Sequence, residues 1–283
     1  MNELEPPRSQ HVGQFDGLRG LLALWVVISH ILCWCGWADA TFPWPLSRLW
    51  SAFIFAQPAV ETFMILSGFA ISFLLHQNQP PYYIFIVGRF FRIYPVYALC
   101  LTLGIATTYL TPVVLDTSLW RDTIYYNWIG SYSVQERANI TTHSLSHATL
   151  LFGLLPKSIL PYSTGTLLPP SWSITLEWQY YLVAPAIAWL VRSGTGMLCV
   201  VFAVLVGLHY SHVWQNPENA FLPAQLPLFL MGIGSYHLYA HHARSPNGFP
   251  VSSFQMEAWI PCGSRRVSGD GSMMSTFTPC RKS

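Results

Sequence analysis

Long apolar runs alternate with shorter polar ones along this chain, and the lengths of the runs decide the fold. A helix that crosses a bilayer needs about 20 mostly apolar residues. Residues 18–37 meet that length, and so do residues 52–75, where Gln57, Pro58 and Glu61 interrupt the run. Residues 82–94 are aromatic and basic, which predicts a helix at the interface or an entry turn. Residues 95–110 then continue it as a third span. Residues 111–146 are mostly polar and are predicted as a long loop. Residues 148–160 are apolar but short, as in a tilted span or a re-entrant piece. Runs at 174–191, 197–210 and 222–239 bring the total to about seven spans. The expected fold class is all-α, a polytopic transmembrane helix bundle. Three segments follow: an N-terminal stretch 1–14, a membrane domain 15–242, and a tail 243–283. The tail is rich in Ser, Gly, Arg and Pro and is expected to be disordered.

Composition strengthens this picture. Of the 283 residues only 9% are charged and 52% are hydrophobic, with mean hydropathy +0.36. A soluble domain carries about 25% charged residues, so too little charge is available here to solvate a globule. The net charge of +2 is too small to point to nucleic acid. Cys33, Cys35, Cys100 and Cys199 lie within apolar runs and read as small hydrophobes. Neither a disulfide framework nor a metal site is expected. The ten histidines show no ligand-like spacing, and the adjacent His241 and His242 read as solvated. The first apolar run is too long for a signal-peptide core and is expected to stay as an anchor. Arg8 and Arg19 precede the first span, and Arg89 and Arg92 follow the second. The positive-inside rule then puts the N-terminus in the cytoplasm.

Ionisable residues inside spans are costly and mark cavities or functional sites. Arg19 and His30 are eleven residues apart, almost three whole turns, so they share one face of the first helix. The rise separates them by roughly 16 Å, with Arg19 near the cytoplasmic interface and His30 near the midplane. Glu61, in the second span, is the candidate partner of His30. A neutral imidazole oriented by a carboxylate is a good general base. Arg89 and Arg92, three apart, offer two guanidinium forks of the kind that hold phosphate. Glu177 follows Ser171-Trp172-Ser173 at the start of the fifth span, where a helix N-terminus would stabilise it. Each residue also has a structural reading. Arg19 could snorkel, His30 could bridge two helices, Glu61 could be protonated, and the arginine pair could anchor lipid headgroups.

Four stretches resemble the acyltransferase-3 family of membrane-bound acyltransferases. They are Phe15-Asp16-Gly17-Leu18-Arg19-Gly20 with His30, Val60-Glu61 with Ser67-Gly68-Phe69, Arg89-Phe90-Phe91-Arg92-Ile93-Tyr94-Pro95, and Ser171-Trp172-Ser173 with Glu177, Gln179, Tyr180 and Tyr181. The resemblance covers about residues 12–240. It implies transfer of an acyl group, commonly acetyl, from acyl-CoA to a hydroxyl of a carbohydrate, lipid or secondary metabolite. It implies a catalytic group of His30, Glu61 and Glu177, and acyl-CoA binding by Arg19, Arg89 and Arg92. Acyl-CoA would be a co-substrate, with no permanently bound cofactor and no metal. The expected partners are acyl-CoA, a hydroxyl-bearing acceptor and the bilayer, without nucleic acid. Trp178 stands where the family has a second carboxylate. The family also has more spans than can be counted here, which predicts a chain truncated relative to it. Two other readings stay open: a transporter or proton relay using the same buried groups, and an inactive fragment.

Overall fold

Helix is the only structure that satisfies an isolated backbone within hydrocarbon, and helices dominate the computed structural model. It describes residues 13–37, 40, 43, 45–121, 123–214 and 220–244. The helices are α1 (Gly13–Trp34), α2 (Leu46–Ile54), α3 (Gln57–Asn78), α4 (Tyr82–Thr107), α5 (Thr111–Thr117), α6 (Ile124–Ala138), α7 (Ile140–Ala148), α8 (Trp172–Leu190), α9 (Gly194–Trp214) and α10 (Leu222–Arg244). No strand occurs among the described residues. The fold is all-α. Within α1, α3 and α4, residues Phe15–Trp34, Gln57–Gln77 and Tyr82–Thr107 are long and apolar enough to cross a membrane. The expected N-terminal segment and disordered tail lie almost wholly outside the described residues.

Three expectations change. The interfacial piece 82–94 and the span 95–110 are one continuous helix, α4, which runs through Pro95. A proline inside a membrane helix removes one backbone bond without ending the helix. The polar stretch 111–146 is not a loop, because it folds into α5, α6 and α7. Thr123 starts α6 as an N-cap, its hydroxyl accepting from the Tyr126 N–H at 3.1 Å. Residues 148–160 hold the end of α7, a 3-10 turn at Phe152–Leu154 and further turns. Pro156 and Pro161 deny them a helical span.

Side-chain contacts give the helix directions. Phe15 packs on Phe69 and Arg19 meets Ser67, so α1 and α3 are antiparallel. Phe69 packs on Tyr236 and His76 on His237, so α3 and α10 are parallel. The Tyr82 hydroxyl donates to Leu182 O, and Phe90 meets Trp178, so α4 and α8 are antiparallel. The bundle therefore has a near end, where α1 and α4 begin and α3, α8 and α10 finish. At its far end lie α2 and the end of α4.

The core lies between α3, α8, α9 and α10, where Met64, Ile71, Leu176, Tyr180 and Phe229 are buried. Tyr180 stacks on Phe229 at 4.2 Å. Gln179 ties the start of α10 to α8. Its amide donates to Ala220 O at 3.0 Å and its carbonyl accepts from Leu222 N at 3.1 Å. Leu21, Leu24, Val27 and Ile31 of α1 and Phe91, Val96, Leu99 and Leu103 of α4 stay exposed. Such continuous apolar faces suit lipid contact.

The α3–α10 seam is backbone against backbone. A Cβ at Gly232 would overlap Ile65 O and lie 2.7 Å from Phe69 N, and one at Gly68 would overlap Phe229 O. Small residues allow this approach in membrane helices. Gly232→Ala should therefore push the helices apart and cost about 1–3 kcal/mol. Gly234 has open space around it, and Gly234→Ala should be neutral or mildly stabilising. Thermal midpoints of the two variants in detergent test this contrast, and equal midpoints would contradict the close seam.

Candidate active site

The buried polar groups form two assemblies, one in the near half of the bundle and one at its far end. The near assembly draws on four helices. Arg19 Nη2 of α1 donates to Ser67 Oγ of α3 at 3.2 Å. Ser67 is fully buried and donates in turn to Glu177 Oε1 of α8 at 3.0 Å. Tyr181, one turn on, donates to the same carboxylate oxygen. The Arg89 guanidinium of α4 lies 5.7 Å from the Tyr181 ring centroid and 5.8 Å from that of Phe85. Arg19 also sits 5.3 Å from the Phe63 ring centroid. Aromatic faces attract such cations. One carboxylate thus lies among two guanidiniums, a hydroxyl and a phenol. Arg19 Nε is buried and donates to no group among the described residues, so a donor remains for a ligand.

The far assembly is a cavity of about 370 Å³ between α1, the end of α4 and α6. His30 and Trp34 line one side, and Tyr132, Ser133 and Glu136 of α6 line another. His30 is half-buried and makes no hydrogen bond to any described residue. Glu136 is held firmly. Its Oε2 accepts from the Leu167 N–H at 3.1 Å, and its Oε1 accepts from the Thr108 hydroxyl. Leu167 has φ +55°, a left-handed conformation that costs a non-glycine residue about 1–3 kcal/mol. Glu136 helps to hold it there. A Cβ at Gly104 would overlap Leu167 O, so glycine is needed where α4 passes this loop.

Two buried histidines of α7 support the loop from behind. His147 Nε2 donates to Ser163 O at 2.8 Å, and the ring stacks on Phe152 at 3.9 Å. His143 Nδ1 pairs with Thr166 Oγ1 at 3.0 Å. Burial pushes His143 down to about 4 and His147 to about 3, so both are neutral near pH 7. Their i, i+4 spacing was the available signal, and the sequence reading passed over it. Among the described residues no group of three His, Cys, Asp or Glu side chains converges as a metal site would.

The residues singled out from sequence divide accordingly. Arg19, Arg89 and Glu177 come together. His30 stands apart in the cavity, one turn from the end of α1, and is not near the midplane of that helix. The pairing of His30 with Glu61 is not formed. Glu61 accepts from Gln57 Nε2 at 3.2 Å, one turn back on α3. The register explains the miss: Ser29 lies level with Ile54, the last residue of α2, and Arg19 with Ser67 of α3, so Glu61 lies level with a turn of α1 that precedes His30. Arg89 is half-buried whereas Arg92, three residues on along α4, is exposed. Trp178 packs edge-on against Phe90 at 5.9 Å, filling with aromatic surface the place of a second carboxylate. Ser133 and Glu136 were missed because they sit in a stretch expected to be a loop.

A helical membrane protein that gathers half-buried Arg and Glu around a buried Ser, with a His lining a cavity, has the makings of a site for a charged ligand and a proton transfer. The acyltransferase domain family matches residues 12–253. The chain belongs to this acyltransferase-3 family and is a membrane acyltransferase. No curated protein and no solved structure matches it.

Proposed function

We propose that this protein transfers an acyl group, acetyl above all, from acyl-CoA to a hydroxyl, with reaction beside His30. The observation that carries the reading is His30 itself. It is a histidine that bonds to no described residue, on the wall of a cavity and on the same helix, α1, as Arg19. The donor enters from the near end, where Arg19 and Arg89 offer positive charge to its phosphates and Arg92 is exposed. The positive-inside rule, applied to the two arginines of α4, supports a cytoplasmic side for that end. The roughly 16 Å from Arg19 to His30 along the helix is the span a thin, flexible pantetheine arm would cover. His30 takes the proton of the acceptor hydroxyl while its oxygen attacks the thioester carbonyl. The C–O bond forms, the C–S bond breaks, and the CoA thiolate leaves and is protonated. Glu177 is a positioning residue: it orients Arg19 through Ser67 and fixes the Tyr181 ring beneath Arg89. Glu61, bonded to Gln57, takes no part.

The test is transfer of label from [14C]acetyl-CoA, in membranes carrying the full chain, into base-labile ester of a hydroxylic lipid extract. Label above that of control membranes is expected. Arg89→Ala should raise the acetyl-CoA concentration needed for half-maximal rate by about 10- to 100-fold, the effect of losing charged hydrogen bonds. Absence of any labelled ester with wild type rules the reading out.

A further inference from the structure

We infer that the far-end cavity is the acceptor subsite for an apolar ring alcohol, whose hydroxyl is bound by Ser133 and Glu136 opposite His30. This rests on the acyltransfer reading above but concerns residues and a substrate class that it does not assign. Three observations carry it.

The first is hydrogen-bonding capacity. Ser133 is 4% exposed, lines the cavity, and its Oγ has no hydrogen-bond partner among the described residues. A buried hydroxyl left unpaired is costly, and a ligand hydroxyl would pair it. Glu136 lies one helical turn on, on the same face of α6. Its two protein bonds leave further lone pairs, since a carboxylate offers about four acceptor sites.

The second is how little polar capacity is left. Thr107 donates to Leu103 O at 2.9 Å and Thr108 donates to Glu136. Around them are Trp34, Trp128, Ile129 and Tyr132. Thr111 also lines the cavity, so His30, Thr111, Ser133 and Glu136 can serve two or three hydroxyls on a largely apolar body. A free sugar, with a hydroxyl on almost every carbon, would bury most of them unpaired, which burial penalises.

The third is the approach. A second depression of about 370 Å³, lined by Val26, Val27, Ile31 and Cys35, shares His30, Trp34 and Pro170 with the cavity. Val27 and Ile31 are 52% and 56% exposed and belong to the lipid-facing side of α1. An apolar molecule dissolved in the bilayer would reach His30 along this wall, whereas a free sugar would not partition there.

The probes are menthol, a monohydroxylic ring, and glucose, a polyhydroxylic ring of the same size. Binding of tritiated menthol is measured on the full chain in nanodiscs, with empty nanodiscs subtracted. Saturable menthol binding is expected, with no competition from glucose. Ser133→Ala should weaken it about fivefold, the effect of one neutral hydrogen bond, and Glu136→Gln should weaken it further. Because Glu136 also holds Leu167, the Ser133 variant is decisive: it removes a hydroxyl on which no protein bond depends. In acetyl transfer to menthol, Ser133→Ala should raise KM for menthol and leave KM for acetyl-CoA unchanged. Absent menthol binding, effective competition by glucose, or unchanged menthol affinity in Ser133→Ala would each overturn the assignment. Ser133-dependent menthol binding in a chain that transfers no acetyl group would instead overturn the acyl-CoA reading alone. His30-dependent transfer to glucose would overturn this assignment and leave that reading intact.

Discussion

His30→Ala should lower the rate of acyl transfer by roughly 10²- to 10⁴-fold, the range of a lost general base, and leave the fold unchanged. The second half of that expectation makes the first informative. His30 bonds to no described residue and faces a cavity, so no hydrogen bond among the described residues rests on it. A substitution away from such features falls within about 0.5 kcal/mol of wild type. The thermal midpoint should therefore stay put while turnover collapses. His30→Gln keeps a similar volume and two hydrogen-bonding ends but cannot carry the proton, and it should be as slow as the alanine. KM for acetyl-CoA should hardly move, because the donor's phosphates lie near Arg19 and Arg89 at the other end of the path. Retained turnover in His30→Gln would remove the proton-transfer role.

The membrane character and two of the crossings were legible because hydropathy depends on local composition alone. The runs within 18–37 and 52–75 had only to be long and apolar, and α1 and α3 follow them closely. α6 and α7 were hidden for a physical reason. Their stability comes from partners distant in sequence: Glu136 with the amide of Leu167, His147 with the carbonyl of Ser163, and His143 with Thr166. A periodicity test cannot see a polar side chain whose partner is a backbone group in another segment. The same limit governed the site. The spacing of Arg19 and His30 could be read because both lie on one helix, α1. Pairing His30 with Glu61 required the register between two helices, which depends on contacts such as Arg19 with Ser67. The chemistry of Glu177 was visible in sequence. Its use as the hub of a four-helix network was not, because Ser67 mediates it from 110 residues away.

Removing that hub should have the largest effect on folding. Glu177→Ala is expected to cost about 3 kcal/mol, the scale of losing two hydrogen bonds to a charged group. The carboxylate accepts from Ser67 and Tyr181, and Ser67 in turn receives Arg19. Without it, two guanidiniums remain in an apolar bundle with no counter-charge among these contacts. Glu177→Gln separates the two contributions. It retains a carbonyl for Ser67 and Tyr181 but carries no charge, so it should recover part of the stability. Its weaker hold on Arg19 should still appear as a raised KM for acetyl-CoA. Ser67→Ala loses neutral and charge-assisted hydrogen bonds and should cost less, about 1–3 kcal/mol. Because Ser67 and Glu177 act on the same arginine, Ser67→Ala and Glu177→Ala should not add. The double variant should be less destabilised than the sum of the two by at least about 0.5 kcal/mol. Additive losses in a thermal or denaturant series would show that Ser67 does not relay the charge of Glu177 to Arg19. The near assembly would then be two independent contacts, not one donor-binding unit.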